Sequence, residues 1–219
     1  MEKYLHVLKE TRLFSGASDT EISAMTDCLG AHVRRFKKGE YIYRTGDHVQ
    51  YLAILAEGSL HIRQDDYWGN GNIINIIQPG EMFGEAYIAP DSGPVINDVA
   101  ARLDSVVIFF DVEKLLSVCP NACPFHSLII KNLFFIISER NRELVQKLGH
   151  MAQRSTRKKL ISYLSGQAAK NNSSSFTIPF NRQQLADFLA VDRSAMSNEL
   201  CKMRDDGLIR FDRNRFTLL

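Results

Sequence analysis

"NRQQLADFLAVDRSAMSNELCKMRDDGLI", residues 181–209, decides the fold of this chain of 219 residues. Asn181, with Gln184 three residues later, predicts a capping box at the start of one helix. Asp192 predicts the cap of a second helix, directly after the turn at Ala190 and Val191. Helical spacing selects the inward-facing positions, which are Leu185, Phe188, Leu189, Met196, Leu200 and Met203. The stretch therefore predicts two helices joined by a tight turn.

The start of the second predicted helix has a polar face opposite its apolar one. This face carries Arg193, Ser194, Ser197 and Asn198. In the major groove, Arg pairs bidentately with guanine and Asn with adenine, and the first turns of a recognition helix enter that groove. Arg182 and Gln183 open the first helix, where we expect them to meet phosphates. The pattern predicts a helix-turn-helix that binds double-stranded DNA.

The residues after this helix pair predict a basic hairpin. Gly207 ends the helix, and the apolar-rich runs 209–211 and 215–218 flank a polar turn, as in a wing beside the groove. Residues 151–219 carry 12 Lys and Arg against 6 Asp and Glu, which favours a polyanionic partner. The alternative reading is an ordinary helical hairpin with a solvated charged surface.

In the N-terminal half, the apolar residues follow a different period. Residues 1–30 predict short helices, one of them capped by Ser18. Between residues 31 and 110, short β-rich runs alternate with glycines, which is typical of an antiparallel sandwich or jelly roll. The predicted class is therefore α+β, with an N-terminal antiparallel sandwich or jelly roll and a C-terminal winged helix-turn-helix.

A long helix is predicted between these two parts, beginning near Pro124. Its proposed apolar stripe consists of Leu133, Ile137, Leu144, Leu148 and Met151. A long helix with a narrow stripe typically packs on a copy of itself, and the alternative is packing on its own domain. We therefore expect a β-rich domain over 1–123, a dimerisation helix over 124–150 and a DNA-binding domain over 151–219.

This order of parts resembles the Crp/Fnr family of bacterial transcription regulators over almost the whole chain. "FKKGEYIYRTGD", "LAILAEGSLHI" and "QPGEMFGEA" look like the turns of the cyclic-nucleotide-binding type of β-roll, and the stretch at 181–209 looks like the DNA-binding signature. The resemblance implies that the N-terminal fold is a double-stranded β-helix, or jelly-roll-like β-roll. It also implies an effector site in the roll, a homodimer, a palindromic DNA target, and RNA polymerase as a candidate partner.

The loop "GEMFGEAYIAPDSGPVIND", residues 80–98, corresponds to the family's effector site. In members that bind cyclic AMP, a Gly-Glu pair holds the ribose and a later Arg-Ser pair holds the phosphate. Gly84 and Glu85 match the first pair, whereas Val95 and Ile96 occupy the positions of the second. We expect an effector other than cyclic AMP, suited to an apolar wall. The alternative is an effector-free or redox-responsive regulator whose roll is a scaffold or protein-interaction module.

Composition excludes several other classes. No apolar run is long enough to span a membrane, and the first residues do not read as a signal peptide, so we expect a cytoplasmic protein. Cys119 and Cys123, with His126, form a candidate thiol or metal set, and the sequence assigns no metal ligand. Oxygen-sensing members of the family that the chain resembles carry an N-terminal cysteine cluster for an iron–sulfur centre, and only Cys28 lies in that half here, so the resemblance implies no such cluster. No motif predicts an enzyme.

Overall fold

A computed structural model of the chain describes residues 1–65, 71–89, 91–117 and 124–219. These residues form two compact units, Met1–Ser138 and Glu139–Leu219. The boundary lies inside the long helix, which the sequence assigned to a domain of its own. Within the described residues, no helix is long and apolar enough to cross a membrane.

The first unit begins with short helical segments, as the sequence predicts. Helix α1 (Leu5–Glu10) lies between two 3-10 turns, and helix α2 (Asp19–Cys28) follows them. The side chain of Ser18 accepts from the backbone N–H of Glu21, and the Glu21 carboxylate accepts from the backbone N–H of Ser18. This reciprocal pair satisfies two N–H groups that the helix start leaves open, so the predicted cap is confirmed.

Within the described residues of the first unit, eight strands form two antiparallel four-stranded sheets. Their bounds are β1 His32–Phe36, β2 Tyr41–Tyr43, β3 Tyr51–Glu57, β4 Leu60–Asp65, β5 Gly71–Ile77, β6 Met82–Phe83, β7 Asp98–Ala101 and β8 Ser105–Asp111. One sheet has the order β1-β8-β3-β6 and the other the order β2-β7-β4-β5. The predicted jelly-roll-like β-roll is confirmed. The two-residue strand β6 escaped sequence reasoning because it is too short to show a period.

Strand β8 explains how the roll acquires two cores. Ile108 and Phe110 pack against the N-terminal helices, where the rings of Phe110 and Phe14 lie 5.6 Å apart. Val107 and Phe109 point the other way, into the space between the two sheets. Alternate side chains of a strand face opposite sides, so a strand covered on both faces must be apolar throughout.

Two helices complete the first unit: α3 (Val112–Leu116) and the first part of α4 (Pro124–Met151). Ile129 and Leu133 of α4 are buried in the core around the N-terminal helices. Asn132 donates two hydrogen bonds of 2.9 Å to the backbone carbonyls of Leu13 and Ser15. One face of α4 is thus occupied by its own unit.

The second unit is a winged helix-turn-helix, as predicted. It contains helices α5 (Thr156–Asn171), α6 (Arg182–Leu189) and α7 (Arg193–Asp205), and strands β9 (Ser175–Thr177), β10 (Ile209–Asp212) and β11 (Arg215–Leu218). The strands form a sheet of order β10-β11-β9. The six residues predicted to face inward all belong to or pack against its core, together with Leu160 and Tyr163 of α5.

Candidate nucleic-acid interface and effector site

Helix α7 presents the predicted polar face. Arg193, Ser194 and Asn198 are exposed and Ser197 is half-buried. The hydroxyl of Ser194 donates to the Asp192 carboxylate at 2.5 Å, and that of Ser197 donates to the backbone carbonyl of Arg193 at 2.9 Å. The side chains of Arg193 and Asn198 have no hydrogen-bond partner among the described residues. These two side chains are therefore available to base edges.

Asp192 fixes the start of α7. Its carboxylate accepts from the backbone N–H of Ala195 at 2.8 Å, which is the predicted N-cap. The hydrogen bond from Ser194, followed by the backbone N–H of Ala195, lowers the pKa of Asp192. Because both donors favour the charged form, the cap remains ionised at neutral pH.

Helix α5 holds the turn between α6 and α7. The ammonium of Lys159 donates to the backbone carbonyls of Leu189 and Ala190, at 3.0 and 3.2 Å. Ala190 adopts a left-handed conformation, with φ of 48°. The carbonyls at the end of α6 lack helical partners, and Lys159 supplies donors for them. This contact links residues about thirty positions apart and has no signature in the local sequence.

Arg157, also on α5, contacts the far side of α7. Its guanidinium pairs with Asp206 just beyond the end of α7, and lies 3.5 Å from the carboxylate of Glu199. These ion pairs and the buried side chains of Met196, Leu200 and Met203 orient α7 on the unit. A recognition helix held on one side in this way keeps its polar face directed outward.

Arg182, for which the sequence predicts a phosphate contact, packs against the wing. Its guanidinium lies over the rings of Phe211 and Phe216 of the wing, 4.9 and 5.2 Å from their centroids. Burial lowers the pKa of this guanidinium. Gln183 is exposed, but its amide donates to Asp187 at 2.8 Å. Arg182 thus packs α6 against the wing, and its guanidinium is half-buried there.

Further residues beside the predicted ones face outward in this unit. Cys201 is exposed on α7, three residues after Asn198 and therefore on the same face. The wing exposes Arg210, Arg213 and Arg215. Helical spacing from Ser194 and Asn198 would have identified Cys201, whose small apolar character gave no reason to select it.

The effector loop, residues 80–98, turns at Gly84, which has φ of 86°. A Cβ at this position would make ordinary contacts, 3.7 Å from atoms of Tyr43, Val49 and Tyr51, so the backbone conformation rather than crowding favours glycine. Glu85 follows in a 3-10 turn, Glu85–Tyr87, and is half-buried. Gly84 is thus suited to a left-handed turn that most other residues would strain.

Val95 and Ile96 face opposite sides of the chain, which corrects the prediction that both line a pocket. Val95 is 3% exposed and packs between the two sheets of the roll, whereas Ile96 is 62% exposed. The backbone of Val95 pairs with that of Gly46 and Asp47 through two hydrogen bonds of 2.8 Å. Extended backbone alternates its side chains, so fixing Val95 inward sends Ile96 into solvent.

The loop contains no cation that could replace the missing phosphate contact. Residues 80–98 hold no Lys or Arg. Asp98 is committed to structure, because its carboxylate accepts from the backbone N–H of Thr45 at 2.7 Å. The side-chain oxygen of Asn97 is buried without a hydrogen-bond partner among the described residues. As a hydrogen-bond acceptor, this oxygen would not stabilise an anionic phosphate either.

The second exposed feature is the outer face of α4. Five large apolar residues on this face are each between 39% and 68% exposed: Ile130, Phe134, Ile137, Leu144 and Leu148. Together with Asn141, they recur at alternating steps of four and three residues, which is the heptad spacing. We call these six residues the outer stripe. Leu133 is 4% exposed and faces its own core, so its place in the predicted stripe is wrong. Adjacent positions on a helix point about 100° apart, which is why Phe134 rather than Leu133 faces outward.

Two members of the candidate thiol or metal set, Cys119 and Cys123, lie outside the described residues. His126 is described, and its Nε2 lies 2.9 Å from the backbone carbonyl of Lys114. Within the described part of the chain, no group of three or more His, Cys, Asp or Glu residues is arranged to hold a metal ion.

Comparison with known families matches both halves of the chain. A model of the cyclic nucleotide-binding domain matches residues 33–121, and a model of the Crp-like helix-turn-helix domain matches residues 158–219. The fold and these two matches define a DNA-binding transcription regulator with a cyclic-nucleotide-binding-like domain. The chain belongs to the Crp/Fnr family.

Full-length relatives are regulators of this kind. Transcriptional activator protein FnrL of Cereibacter sphaeroides is 21% identical over 86% of this chain and 76% of its own length. The Cyclic AMP receptor protein of Thermus thermophilus is 22% identical over 93% of this chain and 90% of its own. Human cGMP-dependent protein kinase 2 is 28% identical over 51% of this chain, but the match spans only 15% of that enzyme.

Solved structures support the same fold. The Catabolite Activator Protein of Thermus thermophilus superposes with a TM-score of 0.52 at 20% identity, over 95% of this chain and 94% of that one. The c-di-GMP-responsive global regulator CLP of Xanthomonas campestris gives a TM-score of 0.57 at 18% identity, over 92% and 99%. At these identities the likeness shows the fold alone.

Proposed function

We propose that this protein binds a palindromic operator as a homodimer, with α7 of each subunit in a major groove. The observation that carries the proposal is the exposed pair Arg193 and Asn198, whose side chains have no partner among the described residues. Their chemistry matches guanine and adenine edges, respectively. The exposed arginines of the wing, Arg213 and Arg215, supply charge for the flanking phosphates. Contact with RNA polymerase stays a prediction from the family resemblance.

The outer stripe supports the homodimer. With large apolar side chains taken as roughly 150–250 Å² when fully exposed, its five apolar residues present roughly 500 Å² per chain. Two copies would bury about 1,000 Å², the lower bound for a specific interface. Val145, which is 60% exposed beside the stripe, extends this area. A second copy of the chain is the partner that matches such a stripe along its whole length.

The effector loop supports a signal other than cyclic AMP. A buried phosphate needs a cation or several donors, and the loop has an apolar residue, Val95, at one of the positions where the family's cyclic-AMP-binding members carry theirs. Glu85, half-buried nearby, favours a ligand with a hydroxyl or amine. We therefore expect a neutral or apolar small molecule rather than cyclic AMP.

A second candidate function is an effector-free regulator whose roll serves as a scaffold. The position of Val95 favours it, because this side chain fills the space between the sheets together with Phe83 and Phe109. Small molecules carried by the purified protein, identified by mass spectrometry, separate the two candidates. A bound compound that changes operator affinity supports the sensor, and DNA binding insensitive to every extracted compound supports the scaffold.

Selection of binding sites from random duplex DNA tests the proposal as a whole. The expected product is an inverted repeat whose half-sites are about 10 base pairs apart, as two-fold symmetry requires. Arg193→Ala should cost about 1–3 kcal/mol at one base position of each half-site and relax specificity there. Lys158→Ala, an exposed cation on α5 away from that face, serves as the matched control. Enrichment of no sequence, or an unaltered preference in Arg193→Ala, would reject the assignment.

A further inference from the structure

We infer that Asn141 sets the alignment of the two α4 helices in the dimer, an inference that rests on the self-association proposed above. The outer stripe advances by four and three residues in turn, through Ile130, Phe134, Ile137, Asn141, Leu144 and Leu148. This is the spacing of two helices that pack side by side as a coiled coil. Asn141 is the polar member of the stripe and lies near its middle.

The amide of Asn141 has the chemistry to pair with a copy of itself. Asn141 is exposed, and its side chain makes no hydrogen bond to another described residue. An asparagine amide offers a carbonyl acceptor and two N–H donors. In an aligned two-fold pair, each Asn141 amide would donate to the carbonyl oxygen of Asn141 of the partner subunit. The layer would then be buried with its polar groups satisfied.

Other alignments lose this pairing. A shift of one heptad would bring Asn141 opposite the hydrocarbon of Phe134 or Leu148 of the other copy. A buried amide without a partner is unfavourable, whereas the apolar layers lose little because their residues are similar in kind. The apolar residues therefore favour association, and Asn141 favours one alignment among those they permit.

Charged residues beside the outer stripe do not determine how the two α4 helices are aligned. Apart from Leu133, the flanking positions hold Lys131, Ser138, Val145, Arg140 and Lys147. None of these residues is acidic, so pairs of opposite charge across the interface cannot specify the alignment as they do in many coiled coils. The specificity must come from within the stripe, where Asn141 is the residue with directional hydrogen bonds.

Sedimentation equilibrium of full-length Asn141→Leu tests the inference, with Gln146→Leu as the control. Gln146 is an exposed amide on the same helix, away from the stripe. Asn141→Leu should tighten association about tenfold or more and add species larger than a dimer. Both effects are expected because the polar layer limits the affinity of the helices and the number of helices that associate. Gln146→Leu should change neither.

Pulsed EPR between labels attached at Glu143 through an unnatural amino acid reports alignment directly. One distance is expected in the parent protein and several in Asn141→Leu. A dimeric parent in which Asn141→Leu keeps the same affinity, stoichiometry and single distance would overturn the inference alone. Equal effects of Gln146→Leu would also overturn it. A parent protein that is monomeric at micromolar concentration would instead reject the proposed dimer.

Discussion

The ammonium of Lys159 lies 3.2 Å from the carbonyl oxygen of Ala190, at the turn that joins the two helices of the DNA-binding motif. The same ammonium lies 3.0 Å from the carbonyl of Leu189. One side chain of α5 therefore satisfies two carbonyls at the end of α6 and stabilises the turn that precedes α7. The angle between α6 and α7 determines which side chains reach a groove, so this contact connects packing to recognition.

Lys159→Met should weaken the unit and disturb recognition. Loss of two charge-assisted hydrogen bonds in a partly exposed site should lower the free energy of unfolding by about 1–2 kcal/mol. Chemical denaturation followed by circular dichroism measures this change. Lys158→Met, one residue earlier and exposed with no side-chain partner among the described residues, is the control and should be nearly neutral. Equal stabilities of the two variants would contradict the role of Lys159.

Ala190→Gly should stabilise the protein. Ala190 has φ of 48°, a left-handed conformation that glycine adopts without the strain caused by a Cβ. The relief of strain should exceed the extra entropy of glycine in the unfolded chain, for a net gain of about 0.5 kcal/mol. Ala195→Gly, inside α7, should have the opposite sign and cost about 1 kcal/mol. Thermal denaturation of both variants checks the signs, and destabilisation by both would show that Ala190 is not strained.

Arg182 and Arg215 should respond differently to substitution. Arg182→Ala removes a guanidinium stacked on Phe211 and Phe216, so it should lower stability by about 1 kcal/mol and leave the salt dependence of DNA binding unchanged. Arg215→Ala removes an exposed cation of the wing. It should leave stability unchanged and reduce the slope of log affinity against log salt by about 1. Reversal of these two outcomes would restore Arg182 as a phosphate contact.

His150 should make the second unit less stable in mild acid. Burial lowers the pKa of His150, whose Nδ1 lies 2.8 Å from the Ser162 hydroxyl and whose ring contacts Tyr163 edge to face. Above the ordinary pKa of about 6.5, histidine is neutral in both states and the effect vanishes. Below that pKa, His150 binds a proton in the unfolded chain but not yet in the folded one. The stability therefore falls as the pH decreases, until the pH passes the lowered pKa of His150 in the folded state.

Hydrogen exchange of the α5 amides between pH 7.5 and 5 should show this loss of protection. His150→Gln should reduce its pH dependence. His61, in the first unit, also has a pKa lowered by burial. His61→Gln should therefore leave the α5 amides unaffected. A pH profile identical in His150→Gln and the parent protein would exclude His150 as the group responsible.

Local features of the fold were predictable because their physical causes are local. The capping box of Asn181 and Gln184 and the cap at Asp192 each connect residues three apart. The alternation of β8 and the helical period of α7 likewise repeat within a few residues. For the same reason, sequence alone located most of the strands, the helix-turn-helix, its polar face and the loop that lacks a phosphate contact.

The tertiary structure decided which of several chemically similar side chains are covered by other residues and which are exposed. Arg182 and Arg193 both look like DNA contacts in the sequence, but Phe211 and Phe216 lie under only Arg182. Leu133 is covered by residues of the first unit, while its neighbour Phe134 is 68% exposed.

The tertiary structure likewise decided the exposure of Val95 and Ile96. The backbone of Val95 pairs with Gly46 and Asp47, about fifty positions earlier, so Val95 points inward and Ile96 outward. The sequence determined the elements and their chemistry, since these depend on near neighbours. Exposure depends on segments that are distant along the chain and meet only when it folds, so the assignment of each side chain to a core or to a surface required the tertiary structure.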